Sequence, residues 1–150
     1  RGTENLESLI QRHAPVGNFV LLGWLDNIEA FYESITVYCQ SSITESFGIE
    51  VVEAMSRGRV VIVSETTGAS DSIVNNINGY KFEISDTPTD NYYRKEDLEV
   101  SWPAFQMGGL INSLKDRPSL EMLANRARET SLRYDWEIIK QKYFEVWKIP

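Results

Sequence analysis

The sequence has little of several things: one cysteine, one histidine and 15 basic residues against 22 acidic ones. With only Cys39, an internal disulfide is impossible, so a cytosolic or membrane-peripheral setting is expected rather than a secreted one. Cys39 lies in the strand-like "ITVYCQ" and reads as a buried core thiol. A formal net charge of −7, with the positives scattered among acids, argues against nucleic acid and anionic membrane as partners. The longest apolar runs, Phe19 to Leu22 and Val60 to Val63, are strand-sized. Both fall far short of the roughly 20 residues that cross a bilayer as a helix. No aspartate-rich motif marks a metal site. The opening "RGTENLESLI" carries no initiator methionine, signal-peptide core or cleavage site, and so is expected to belong to a longer chain.

What is present is a folding composition. A chain of 150 residues with 42% hydrophobic content suits one globular domain over residues 1–150. Strand-like and helix-like segments alternate through the first half. "NLESLIQRH" is helical, "NFVLL" a strand and "NIEAFYES" a helix. "ITVYCQ" is a strand, "FGIEVVEAMSRG" a helix closing at Gly58 and "VVIVS" a strand. A short helix near "SDSIVNN" leads to a last strand, "GYKF". Short links between such segments imply an α/β fold, a Rossmann-like three-layer arrangement with a parallel sheet of about four strands between flanking helices. From Glu83 to Gly109 the period breaks, and a long surface excursion is expected. Helices follow. Pro118 suits a first turn, and Asp135 suits the N-cap of a last helix with an apolar stripe of Trp136, Ile139, Tyr143, Val146 and Trp147.

In open parallel sheets, ligands sit beyond the carboxyl ends of the strands. Three loops qualify: Gly23-Trp24-Leu25, Ser41 to Gly48, and Ser64 to Ala69. The middle one is richest, because Ser46 or Thr44 can cap a helix whose open N–H groups, near Phe47, Gly48 and Ile49, favour an anion. Gly48 would let a phosphate or a sugar hydroxyl approach the backbone. Glu45 precedes this mouth, and Glu53 follows about a turn and a half beyond Gly48. Carboxylates are strong acceptors for paired hydroxyls, so an anion flanked by two polyols would fit. A nucleotide sugar has that shape. On spacing alone the two glutamates also suit a plain solvated face, and a glycosidase-type pair would need a proton donor that nothing identifies. His13 reads as a structural or solvent-facing residue near a helix end, and Trp102 as a loop anchor.

The run "SSITESFGIEVVEAMSRGRVVIVSETTGASDSIVNNINGYKF" resembles the signature of the family 4 retaining glycosyltransferases, which have the two-domain GT-B fold. "NFVLLGWLDNIEAFYES" and the terminal "YDWEIIKQKYFEVWK" are similar to the family's preceding and closing segments. The resemblance implies the donor-binding, C-terminal half of a larger enzyme that moves a sugar from a nucleotide-diphosphate sugar to an acceptor, with retention and without a metal or other cofactor. It implies that Glu45, with Ser46, Phe47 and Gly48, contacts the donor sugar, and that the amides of Gly48 and Ile49 meet the diphosphate. Glu53 would hold the ribose, Gly23 and Trp24 would lie near the base, and Thr67 and Gly68 would form a neighbouring loop. No residue of this chain is assigned as catalytic. The acceptor, a glycan, lipid or other glycoconjugate, is open, and the acceptor half with the Arg and Lys that grip the diphosphate would lie upstream. A role in polysaccharide or glycoconjugate synthesis follows, in the cytoplasm or peripheral to the inner face of the membrane, with any membrane contact made through the full enzyme. A noncatalytic nucleotide or polyol binding module, or another GT-B enzyme such as a sugar-nucleotide epimerase, are the alternatives. Gln40 where the family often has proline, and Asp71 where it often has glutamate, are mild departures.

Overall fold

A computed structural model describes residues 19–42, 44–84, 102–115, 118 and 120–147. The expected first helix with His13, and the stretch 85–101 of the expected excursion, lie outside them, as does the side chain of Trp102. The chain forms two compact units, Arg1–Phe31 and Tyr32–Pro150.

In the first unit, Phe19 to Leu22 is not a strand, contrary to the sequence pattern. Phe19 is 57% and Val20 74% exposed, and no described residue pairs with the run. A strand exists through the neighbour it bonds, which periodicity alone cannot supply. Helix α1, Ile28–Ser34, forms where the sequence places one, its residues from Tyr32 onward belonging to the second unit. Asn27 caps it: the Ala30 N–H donates to Asn27 Oδ1 at 3.0 Å, satisfying one orphan donor.

The second unit is built on a three-stranded parallel sheet: β1 (Val37–Gln40), β2 (Val60–Ser64) and β3 (Tyr80–Phe82), in the order β1-β2-β3. Val37 pairs with Val60 and Ile62 with Tyr80. Every residue of β2 is buried, as a central parallel strand covered on both faces requires, and its unbroken apolar run is the sequence mark of that position. Helix α2, Ile49–Ser56, joins β1 to β2 and buries Val51, Ala54 and Met55. It ends at Gly58 as expected, whose N–H donates to the Met55 carbonyl at 2.9 Å. A 3₁₀ turn, Gly68–Ser72, stands where a short helix was expected, begun a few residues earlier.

Three further helices follow: α3 (Trp102–Leu114), α4 (Leu120–Ser131) and α5 (Trp136–Trp147). Helix α3 corrects the excursion, whose last part, from Trp102 to Gly109, is helical. Its inward face, buried Leu114 with half-buried Met107 and Leu110, has helical spacing, but the adjacent Gly108-Gly109 masks it in the sequence. These residues close over Val60, Ile62, Tyr80, Phe82 and Ile84 together with Leu123 of α4. Each fully buried large apolar side chain among them contributes roughly 1.5–3 kcal/mol. Pro118 precedes α4, and Asp135 caps α5 as expected, accepting from the Glu137 N–H at 2.9 Å. Most of the stripe on α5 is uncovered among the described residues, Trp136 being 65% and Trp147 69% exposed, while Ile139 is half-buried. No described helix is long and apolar enough to cross a membrane.

Candidate functional site

The loops that follow β1 and β2 are sewn together at the carboxyl edge of the sheet. Ser64, the last residue of β2, donates its hydroxyl to the Ser42 carbonyl at 2.6 Å. Its hydrogen being spent there, Ser64 Oγ accepts from Thr67 Oγ1, 3.0 Å away. Further along, Glu45 and Thr67 form an isolated parallel bridge, and the Gly68 and Ala69 N–H groups donate to the carbonyls of Glu45 and Phe47 at 3.3 and 2.7 Å. The Thr67-Gly68 loop therefore fixes the backbone that carries Glu45, Ser46 and Phe47. Buried Ser64 and Thr67 are small hydroxyl residues because each must satisfy a polar group inside this seam.

The start of α2 differs from the sequence expectation. Neither Ser46 nor Thr44 caps it; the N-cap is Gly48, at φ 80°, with no side-chain hydrogen bond. Gly48 is buried, and a Cβ there would come 2.7 Å from Thr67 Cγ2 and 3.4 Å from Glu45 Cγ. Glycine is required by the left-handed backbone and by these protein neighbours, so its missing side chain is filled space and not an opening for a ligand. The helix mouth still lacks a side-chain cap. No hydrogen bond among the described residues takes up the N–H groups of Phe47, Gly48 and Ile49. Glu50, in the first turn, complements the positive end of the helix.

Glu53 sits one turn further along α2, on the face opposite its buried residues. That face, Ile49, Val52, Glu53 and Ser56, lines a cavity of about 560 Å³. Phe47, Leu132, Tyr134 and Ile139 also line it, and the Phe47 and Tyr134 rings meet edge to face at 5.4 Å. Glu45 does not line this cavity. The Glu53 carboxylate accepts a hydrogen bond from the hydroxyl of Tyr32, 3.0 Å from Oε2. Tyr32 is buried, and its ring meets that of Tyr38 edge-on at 6.1 Å. The Tyr38 hydroxyl donates to Gln40 Oε1 at 2.7 Å. Burial first, and then the negative charges of Glu50, Glu53, Cys39 and Glu45, push the Tyr38 phenol up to about 12. Neither Tyr32 nor Tyr38 stands out in the sequence: the Tyr32 hydroxyl finds its carboxylate on another helix, 21 positions on, a partner that local spacing does not show.

Gly23 and Trp24 belong to the first unit: Gly23 adopts φ 62°, and Trp24 is 91% exposed. Among the described residues no group of three His, Cys, Asp or Glu side chains could hold a metal ion.

The sequence model of the family described as "Glycosyl transferases group 1" matches residues 1–90, more than half of the chain. The chain belongs to this family. An uncharacterized glycosyltransferase of Methanocaldococcus jannaschii is 28% identical over 147 residues, covering 96% of the chain and 34% of that protein. The sulfoquinovosyl transferase SQD2 of Arabidopsis thaliana is 29% identical over 139 residues, 93% of the chain and 24% of that protein. The chain thus spans about a third or less of the curated relatives it matches. Among solved structures, HepE (Alr3699) of Anabaena in complex with UDP-glucose superposes with a TM-score of 0.76 at 22% identity, over 97% of this chain and 36% of that one. The fold of this group 1 glycosyltransferase chain is that of the GT-B enzymes, a parallel sheet flanked by helices.

Proposed function

We propose that this chain is the donor-binding part of a glycosyltransferase that moves a sugar from a nucleotide-diphosphate sugar to an acceptor with retention at the anomeric carbon. The observation that supports it most is the joined pair of strand-end loops, which holds Glu45 at the mouth of a helix with open N–H groups and places Glu53 further along the same helix. The amides of Gly48 and Ile49 face the diphosphate, where preorganised donors stabilise the charge that develops as the nucleotide departs. Glu45, with Ser46 and Phe47, orients the donor sugar, a positioning role and not a nucleophilic one. Glu53 accepts from the ribose hydroxyls. Thr67 and Gly68 act through the backbone they hold. HepE of Anabaena has been solved with UDP-glucose, which suits a donor of this class. The reading includes no metal and no other cofactor.

The test is a screen of the full-length protein against uridine, guanosine and adenosine diphosphate sugars, with the anomeric configuration of the product read by NMR. Transfer with retention from one of them is the expected result. Hydrolysis or epimerisation without transfer, or a product of inverted configuration, would overturn the reading.

A further inference from the structure

Glu53 is exposed, on the second turn of a short helix, and a glutamate so placed ordinarily samples several rotamers. Here it does not stand alone. Tyr32, 3% exposed, directs its hydroxyl to Glu53 Oε2 at 3.0 Å, with the Glu50 carbonyl further away at 3.4 Å. A phenol has one hydrogen to give, and the shorter contact, to a carboxylate, takes it. No other described residue is hydrogen-bonded to the Glu53 carboxylate.

We infer that Tyr32 is a positioning residue: its hydroxyl holds one oxygen of the Glu53 carboxylate, so that the other is presented in a fixed direction to the vicinal hydroxyls of a nucleoside ribose. The inference rests on the reading of Glu53 as the ribose acceptor and adds to it the group that aims Glu53. The Tyr32 ring cannot easily turn away, because it is buried and set edge-on against the Tyr38 ring at 6.1 Å and 62°. Burial, and then the hydrogen bond to Glu53, push the Tyr32 phenol upward, so it remains a proton donor throughout the neutral range. Ordering the carboxylate in the free protein removes a rotamer cost that binding would otherwise bear.

The experiment compares affinities of the full-length protein for uridine, guanosine and adenosine diphosphates with those for their 2′-deoxy and 3′-deoxy forms, by calorimetry. The wild type should prefer the ribose form of its best nucleotide by about tenfold or more, the scale of a charge-assisted hydrogen bond. Glu53→Gln should erase that preference. Tyr32→Phe should reduce it to about threefold or less while the ring stays in place; the protein should still fold, because the exposed Glu53 keeps its access to water. Tyr38→Phe, which removes the other hydroxyl of the same aromatic pair, one bonded to Gln40 and not to Glu53, should keep the preference and thereby separates aiming from the loss of any buried hydroxyl here. If Glu53→Gln retains the preference, the ribose reading fails and this inference with it. If Glu53→Gln loses it and Tyr32→Phe retains it, the ribose reading stands and Tyr32 has no positioning role.

Discussion

A Cβ added to Gly68 would stand 2.3 Å from the carbonyl oxygen of Ser46 and 3.0 Å from the Cα of Phe47. Both neighbours are backbone and cannot rotate aside, so the two strand-end loops can approach this closely only with glycine at 68. Gly68→Ala must therefore push apart the seam that carries Glu45. Overpacking of this kind costs about 1–3 kcal/mol. Chemical denaturation of the two proteins should show the loss, and an unchanged midpoint would mean that the loops are not held as closely as described.

The seam also marks how far the sequence could be read. The β-α-β unit from Val37 to Ser64 was legible because its signals are local: two apolar runs, a helical period between them and a terminal glycine. Glu45 in a loop and Glu53 on the next helix follow from that order. The Gly48 cap was not legible, since its reason is tertiary: Thr67, 19 positions on, fills the space a side chain would need. The Tyr32 hydroxyl was equally hidden, because helical spacing gives a residue's face but not its hydrogen-bond partner. Phe19 to Leu22 failed in the other direction: an apolar run states a preference, and a strand also needs a neighbour. Trp102 to Gly109 reads as irregular in the sequence because two adjacent glycines interrupt a stripe of only three inward-facing positions, Met107, Leu110 and Leu114.

Removal of either glutamate tests the roles proposed for them. In the full-length protein, Glu45→Ala and Glu53→Ala should each lower transfer by about ten- to a hundredfold, the equivalent of roughly 1.5–3 kcal/mol for a charge-assisted hydrogen bond. Both residues are at least partly open to water, so thermal midpoints should move little. Steady-state rates at wild-type level in both variants would remove the donor-site assignment.

Alkaline pH should destabilise the chain through β1. Burial pushes the Cys39 thiol up from 9.0 to about 11, and burial with nearby carboxylates pushes Tyr38 from 10.0 to about 12. Both groups are neutral when protonated, and the folded state holds the proton more tightly than the unfolded state does. Stability is thus undiminished below about pH 9 and falls as pH rises from there towards 12, while the unfolded chain ionises first. Urea midpoints measured from pH 8 to pH 11 should decline, and less steeply in Tyr38→Phe. A flat profile, or equal slopes in the two proteins, would contradict this.

The 150-residue chain by itself should bind nucleotide sugars weakly. A diphosphate at the mouth of α2 meets open N–H groups and the favourable end of the helix, but it also meets Glu45 and Glu50 and a net charge of −7. The basic residues nearest in sequence do not help. Arg57 lies past the far end of α2, 4.0 Å from the carboxylate of Glu33, and Arg59 donates from Nη1 to the Ile35 carbonyl at 2.8 Å. With repulsion only partly offset, and screened at ordinary salt, affinity should be near millimolar, where binding supplies about 4 kcal/mol. Calorimetric titration with uridine, guanosine and adenosine diphosphate sugars measures it directly. Raising ionic strength should weaken the repulsion and so improve, or at least not reduce, the affinity. Micromolar binding by the 150 residues would mean that the helix mouth is sufficient for the diphosphate, and a marked loss of affinity with salt would mean that a cation of this chain reaches it.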